Sequence, residues 1–478
     1  MNRFTYCNPL SIPDIPSGRF LDAEQTNRDP REFADYRSIS DPSVVYHDGK
    51  WILFPSYSLA YVTEDFMNWE KVDIGISHLR YSPAVTEFRG KWYLNGHTLS
   101  ELYVADLPTG PFQLLGHMTA VDGKRVYPPD GCFLADGDRL YFYYHSCVDP
   151  KGEDVEYMTA TLGVEMDPEK PWQMLTEPVE INRFEPEKVW QRMGAHNQNK
   201  RMGWIEGQWV KKIGKRYYLL YSGSGTELPS YANGVCYSDE GPLTGFRDQV
   251  RNPLTRKTNG LVRGAGHGCL VDGPDDSLWV FYTNIFCYNH LYERRISMDR
   301  VLVDENGELY CPDLTENPRF APGQENAGED TGWMDLAQFQ RPTATSHACG
   351  RDAIYASEDS ILSWWQPASE DPEPAITFSF GGASHYHIHA LRLIWRDIGM
   401  EALNGVMPGP FRYLAEYAID PALTEWRTLV DASGGEKDLC VDYRECDGPN
   451  AYGVRLRILG APDGITPGLV SLSAFGNQ

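Results

Sequence analysis

Among the ten cysteines no two are spaced Cys-x-x-Cys, and the intervals between them follow no rule. Cys132, Cys236 and Cys269 lie inside apolar runs. They read as buried reduced thiols, which fits a reducing compartment. The sequence also lacks HExxH, a P-loop, the Rossmann glycine fingerprint and a GxSxG elbow. Zinc proteolysis, nucleotide hydrolysis, dinucleotide redox chemistry and esterase chemistry therefore lose their usual markers. No apolar run approaches the roughly 18 residues of a membrane span. The opening MNRFTYCNPLSIPDIPSGR has no apolar h-region. No signal peptide is expected, and the cytoplasm is the expected location, although a trimmed chain would read the same. Positive charge is scarce: 43 Lys and Arg stand against 67 Asp and Glu, a net charge of −24. Phosphate would be repelled, so neither nucleic acid nor an anionic membrane is an expected partner. Nothing in the sequence speaks to oligomeric state.

Apolar residues make up 41% of the chain, ample for a core, and 478 residues exceed one typical domain. Aromatics at 13% suit β-structure and sugar-facing surfaces alike. Ser38 to Tyr57, SISDPSVVYHDGKWILFPSY, has two apolar runs joined by Asp48-Gly49, the signature of a β-hairpin. The pattern recurs at Glu87–Leu94, Asp136–Tyr143 and Ile213–Leu220, and more loosely at Pro274–Phe281. The five copies align on Lys50, Lys91, Arg139, Arg216 and Ser277. Nine or ten residues earlier stand Asp41, Ser82, Asp130, Glu206 and His267. A repeat of about 40 or more residues with several strands per unit marks a β-propeller, here with five blades. The first strand of each blade lines the channel, so one position in every blade converges on one axis. Asp41, Asp130 and Glu206 are expected to face one another across a small pocket.

Outer parts of the blades repeat too, as in Leu59–Trp69, Leu102–Phe112 and Gly234–Phe246. Residues 1 to about 37, polar and rich in Pro and Asp, are expected to wrap the outside of the propeller. Phe184–Met202 forms an insertion between blades three and four, read as a loop on the binding face. The expected fold class is all-β: a five-bladed β-propeller (1–315), a Pro/Gly-rich linker (316–335) and a smaller antiparallel β-sandwich (336–478). Alternating runs at Ala375–Phe380, His387–Trp395 and Tyr452–Ile458 supply the sandwich strands. His385, His387 and His389 share one strand face, read as half-exposed surface rather than a metal site.

Two carboxylates across a pocket are the minimal apparatus of glycoside hydrolysis. One must be protonated to serve the leaving oxygen, and the other ionised to activate water. Glu206 sits between Trp204 and Gly207-Gln208-Trp209. Aromatic neighbours desolvate a carboxyl group and raise its pKa, which suits the acid. Asp41, between Ser40 and Pro42, suits the base. Asp130 would hold up the pKa of the acid by like-charge repulsion. A separation of about 6.5–9.5 Å between base and acid would leave room for water and give inversion. Taken singly, each carboxylate reads equally well as a cap on a turn. The shared repeat position favours chemistry. His267, in Gly264-Ala265-Gly266-His267-Gly268, is by itself an ordinary core histidine. Its register makes it a candidate to orient a channel water, ligate a cation or touch the sugar.

These motifs resemble glycoside hydrolase family 43, five-bladed propeller enzymes acting on arabinose- and xylose-containing glycans. The resemblance rests on Ser40-Asp41-Pro42-Ser43-Val44, Pro129-Asp130-Gly131, Ile205-Glu206-Gly207 and Gly266-His267-Gly268. Glu64–Trp69 and Pro108–Phe112 add to it. It covers roughly residues 35 to 310, and departs from the family's common pattern at Pro83–Glu87. The resemblance implies an inverting, exo-acting glycosidase, with Asp41 as base, Glu206 as acid and Asp130 as modulator. Its expected partner is an oligosaccharide or polysaccharide. The sugar stays open between L-arabinofuranose and D-xylopyranose, with galactofuranose as an alternative. A non-catalytic sugar-binding propeller, a retaining enzyme and a phosphorylase are the rival readings. The resemblance further implies an arginine of the last blade at the substrate. Arg294 and Arg295 are both available, and Arg295 is the candidate taken, beside Trp204 and His267 as substrate contacts. No cofactor is required for the chemistry. A channel calcium, held through water near His267, is implied by the resemblance alone. The C-terminal unit is similar to discoidin-like sandwiches, on Ser363-Trp364-Trp365, Tyr413–Tyr417, Glu425-Trp426, Arg455-Leu456-Arg457 and Leu472–Gly476. Such units often bind carbohydrate, but packing against the propeller is an equal reading.

Overall fold

The computed structural model describes residues 4–16, 37–150, 155–286, 292–358, 360–381, 384–399 and 409–478. Five sheets, antiparallel apart from one strand added to the third, follow one another in the sequence. Their first two strands are Ser43–His47 with Lys50–Phe54, Ala84–Phe88 with Lys91–Asn95, Cys132–Asp136 with Arg139–Cys147, Glu206–Ile213 with Arg216–Gly223, and Gly266–Asp272 with Leu278–Ile285. The first strands touch in a closed ring, blade five returning to blade one. The fold is thus the expected five-bladed propeller, and the predicted hairpins are its inner pairs. Turn chemistry explains the first two: Asp48 and Gly49 have φ of 48° and 78°, Arg89 and Gly90 of 51° and 73°. Those angles belong to the mirror-image turn that suits strand twist.

Alternation along each strand turns one apolar face toward each neighbouring blade. Ile52, Phe54, Val85 and Leu94 pack between blades one and two. Phe88, Phe133 and Phe142 fill the next junction, and Leu134, Val210 and Leu219 the third. Leu220, Val235 and Val280 close the fourth. Between blades five and one, Trp51, Trp279 and Phe281 are buried together. A fully buried side chain of this size contributes roughly 1.5–3 kcal/mol, so ring closure rests on these five seams.

The insertion before blade four is more ordered than a loop. Within it, Asn199–Gly203 pairs parallel with Tyr157–Asp167 and so extends blade three. The ring of Phe184 occupies the space that a side chain at position 203 would need. Extending the blade this way delivers Trp204 and Glu206 to the channel mouth.

Two sheets form the C-terminal sandwich. One holds Met334–Asp335, Thr466–Asn477, Tyr386–Ile398 and Val441–Ala451, and the other includes Ala375–Ser379, Gly453–Gly460 and Arg412–Ala418. Trp365, Phe378, Leu393, Trp395 and Leu456 are buried between them. Part of the stretch read as a linker is strand: Arg319–Phe320 pairs with Thr5–Tyr6, and Met334–Asp335 with the last strand. The N-terminal reading also changes. Rather than wrapping the outside, residues 5–15 are mostly buried between propeller and sandwich; residues 17–36 lie outside the described residues. Asn8 exchanges hydrogen bonds with Met298 of blade five, at 2.8 and 3.0 Å. Ser11 Oγ donates to the Val441 carbonyl at 2.8 Å and accepts from the Tyr443 N–H at 3.2 Å. His387 pairs with Asp447 at 2.5 Å and stacks on His389, as suits a strand surface. Cys132, Cys236 and Cys269 are buried free thiols.

Candidate active site

The first strands bring a left-handed residue to the same place in every blade. Asp41, Ser82, Asp130 and His267 have φ of 51°, 51°, 48° and 40°. Counting back nine positions from Arg216 in blade four gives Gly207, with φ of 62°, and not Glu206. Glu206 is therefore offset by one residue from the ring of left-handed positions. A Cβ at 207 would lie 3.0 Å from the His267 ring, so glycine is the residue that fits there. Such conformations cost of order 1–3 kcal/mol each at non-glycine residues, and persist only where surroundings over-determine them.

A second repeat position supplies those surroundings. Six residues after the alignment points stand Ser56, His97, His145, Ser222 and Thr283, all polar. Four of them bond to the next blade, while His145 faces Asp130 of its own blade at 3.4 Å. Ser56 Oγ accepts from the Ser82 N–H at 3.2 Å, Ser222 Oγ from the His267 N–H at 2.6 Å, and Thr283 Oγ1 from the Asp41 N–H at 2.8 Å. His97 Nδ1 is 2.6 Å from Asp130. These partners escaped the sequence reading, yet counting forward as well as back along the same alignment finds them.

Asp41, Asp130, Trp204, Glu206 and His267 line one cavity of about 360 Å³, at the small end of ligand pockets. His97, Tyr81, Thr226, Tyr292 and Arg294 complete its wall. Arg295 does not line it, which corrects the choice between the two arginines. Neighbours along the strand Arg294–Val303 point to opposite faces. Arg294 enters the cavity and donates to Asp41 at 3.3 Å and to Thr226 at 2.8 Å. Arg295 turns inward and donates to the Arg37 and Arg294 carbonyls, both at 2.8 Å.

The three carboxyl groups stand in different electrostatic environments. Asp41 is 4% exposed. Burial pushes its pKa up, but the Arg294 and His267 charges and the Ser56 hydroxyl outweigh burial and hold it below the ordinary value. Ser40 and Ser56 both donate to its Oδ2. Glu206 keeps partial exposure to the cavity. Its pKa is raised, first by desolvation and then by the negative charge of Asp130. Trp204 Nε1 donates to one of its oxygens at 2.6 Å and Tyr231 Oη to the other at 2.5 Å. Trp204 is itself stacked on Tyr157, rings 5.4 Å apart, so its polar edge is aimed at Glu206. Asp130 is held well below the usual range: burial alone would raise it, and His97 and His145 override burial. The His97 pKa is raised, the Asp130 charge overcoming desolvation.

Asp130, His145 and Glu206 place ligand atoms within 4.8 Å of one another, the one such group found among the described residues. His267 is not in it; its Nε2 meets Ser82 Oγ at 2.8 Å and its Nδ1 lies 3.4 Å from Asp41. Two carboxylates and an imidazole fall short, as direct ligands, of the six to eight oxygens that calcium takes. Three of the four carboxylate oxygens are already engaged, by His97, Trp204 and Tyr231.

A family model described as glycosyl hydrolases family 43 matches residues 38–309, more than half of the chain. One similar solved structure, described as a glycoside hydrolase, is 16% identical over 91% of this chain and 97% of that one, with a TM-score of 0.51. Another, a thermostable family-43 glycoside hydrolase, is 19% identical over 67% and 100%, with a TM-score of 0.52. At these identities the likeness is one of fold. No curated protein matches the sequence significantly.

Proposed function

Because the chain belongs to the glycosyl hydrolases of family 43, we propose that it removes one terminal sugar from a glycan by inverting hydrolysis. Asp41 is the base, Glu206 the acid and Asp130 the group that keeps the acid protonated. The observation carrying this reading is the divergence of two carboxyl groups on one cavity: Asp41 is held low and Glu206 is held high. Groups pushed apart in this way can hold complementary protonation states at one pH.

Asp41 takes a proton from water as the oxygen attacks the anomeric carbon. Glu206 gives its proton to the glycosidic oxygen as that bond breaks. Base and acid end in exchanged protonation states, and solvent exchange resets both. Trp204 and Tyr231 fix the two oxygens of the acid, so it is oriented before the sugar arrives. Their hydrogen bonds also favour the carboxylate left after proton transfer. Arg294 and Ser56 hold the base in place.

The sugar in this proposal is a pentose, L-arabinofuranose or D-xylopyranose. Support comes from the small volume of the cavity and from the family resemblance. A panel of nitrophenyl glycosides tests it, with Asp41→Asn as control and proton NMR of the first-formed anomer. Release of a pentose with inverted configuration, lost in the control, is the expected result. Equal activity in control and parent removes Asp41 from the mechanism, and a retained anomer removes the inverting assignment.

A further inference from the structure

We infer that the C-terminal sandwich is a working part of the active site: its Asp397 and Asp438 clamp Arg37, and through Arg37 they position the base Asp41 and the cavity arginine Arg294. The inference rests on the reading of Asp41 as base. Arg37 is completely buried, and Asp397 and Asp438 are 3% and 1% exposed. Its Nε donates to Asp397 at 2.7 Å and its Nη1 to Asp438. Both aspartates belong to the sandwich, one in the strand Tyr386–Ile398 and one just before the strand Val441–Ala451. A buried guanidinium shared by two carboxylates is directional, and breaking it strands a charge. The backbone at 37 is therefore held to the second unit.

From Arg37 it is four residues to Asp41, and residues 37, 38 and 39 each bond to Arg294 or Arg295. The Arg37 carbonyl accepts from Arg295 at 2.8 Å. Ser38 Oγ accepts from the Arg294 N–H at 3.1 Å and donates to the Tyr292 carbonyl at 2.8 Å. The Ile39 N–H donates to the Arg294 carbonyl at 3.3 Å. The segment ends on Asp41, a non-glycine residue at φ 51° that needs support from outside itself. An apolar contact reinforces the arrangement: Leu261 and Phe286 of blade five pack against Trp364, Ile394 and Val441 of the sandwich. Base and arginine thus enter the cavity from one sewn segment, anchored on Asp397 and Asp438, which do not line the cavity.

Arg37→Lys keeps the charge and loses the fork. Asp397→Asn and Asp438→Asn keep side-chain volume and serve if Arg37→Lys does not fold. Ser11→Ala is the control: it removes two hydrogen bonds from the same interface, away from the segment. Each purified full-length variant is assayed on the nitrophenyl glycoside that the parent cleaves best, well below its own melting temperature. In the clamp variants kcat should fall about 10- to 100-fold with KM within about threefold, as for a misplaced base. In the control the melting temperature should fall while kcat stays within about twofold. Folded clamp variants with unchanged kcat, a rise in KM alone, or an equal kcat loss in Ser11→Ala would each overturn the inference while the hydrolase reading stands. A parent with no glycosidase activity overturns both.

Discussion

Gly207 offers the sharpest test of how the site is built. It stands at the shared left-handed position of blade four with φ of 62°. Gly207→Ala has two separable costs. The first is backbone: an L-residue in this region costs roughly 1–2 kcal/mol. The second is contact: the new Cβ would sit 3.0–3.1 Å from three atoms of the His267 ring. The ring must yield by a few tenths of an ångström, yet it is tied to Ser82 at 2.8 Å and lies 3.4 Å from Asp41. The strain from this contact adds about 1 kcal/mol, in the range for mild overpacking. Gly90→Ala isolates the first cost, because Gly90 has φ of 73° and nothing within 4 Å of its would-be Cβ. Urea unfolding and kcat/KM on the same preparations give the comparison. Gly90→Ala should lose about 1–2 kcal/mol of stability and no activity. Gly207→Ala should lose about 2–3 kcal/mol in all, and its kcat should fall about 10-fold or more, as for a displaced catalytic neighbourhood. If Gly207→Ala matches Gly90→Ala in both readouts, the ring contact has no bearing on catalysis and the reasoning fails.

Glu206→Gln should cost about 10²- to 10⁴-fold in kcat on an unactivated glycoside, and much less on a dinitrophenyl glycoside whose leaving group needs no proton. Equal losses on both substrates would deny Glu206 the acid's role. The kcat/KM profile should be bell-shaped, its acid limb set by Asp41 below the ordinary carboxylate range and its basic limb by Glu206 above the usual glutamate range. Tyr231→Phe removes a donor that stabilises the Glu206 carboxylate, so the basic limb should move to higher pH; movement to lower pH contradicts the assignment. His97, whose folded pKa is raised by Asp130, contributes stability that is complete below its unfolded pKa of about 6.5 and is lost as pH rises through the folded value. The stability gap between parent and His97→Asn, measured by urea unfolding across this range, should accordingly narrow with rising pH, and a constant gap would show that the pair carries no net charge energy.

Local chemistry decided much of this protein before any tertiary contact formed. The hairpins were legible because strand alternation and Asp-Gly turns are properties of a few adjacent residues. The copies were legible because the same pattern recurs, and recurrence around a ring forces equivalent positions toward one axis. That is why Asp41, Asp130, Glu206 and His267 could be singled out and why all four line the cavity. Counting was a blunter instrument than register. It treated Glu206 as the equivalent of Asp41, whereas pairing assigns that place to Gly207 and leaves Glu206 one residue earlier. It also could not decide between Arg294 and Arg295, because the face that an alternating strand turns to the channel depends on its register with its neighbours.

The tertiary structure alone decided which groups meet. Ser82 and His267 are 185 residues apart, and Arg37 and Asp438 are 401 apart. Nothing in the neighbourhood of either residue encodes the other. The opposite shifts of Asp41 and Glu206 arise from such partners, because the field at a buried carboxyl is set by the charges and dipoles within a few ångströms, whatever their distance along the chain. The sequence by itself determined the repeating frame and the residue types presented at its hub. Folding decided which carboxyl is held low and which is held high, and joined the second unit to the segment that carries Asp41.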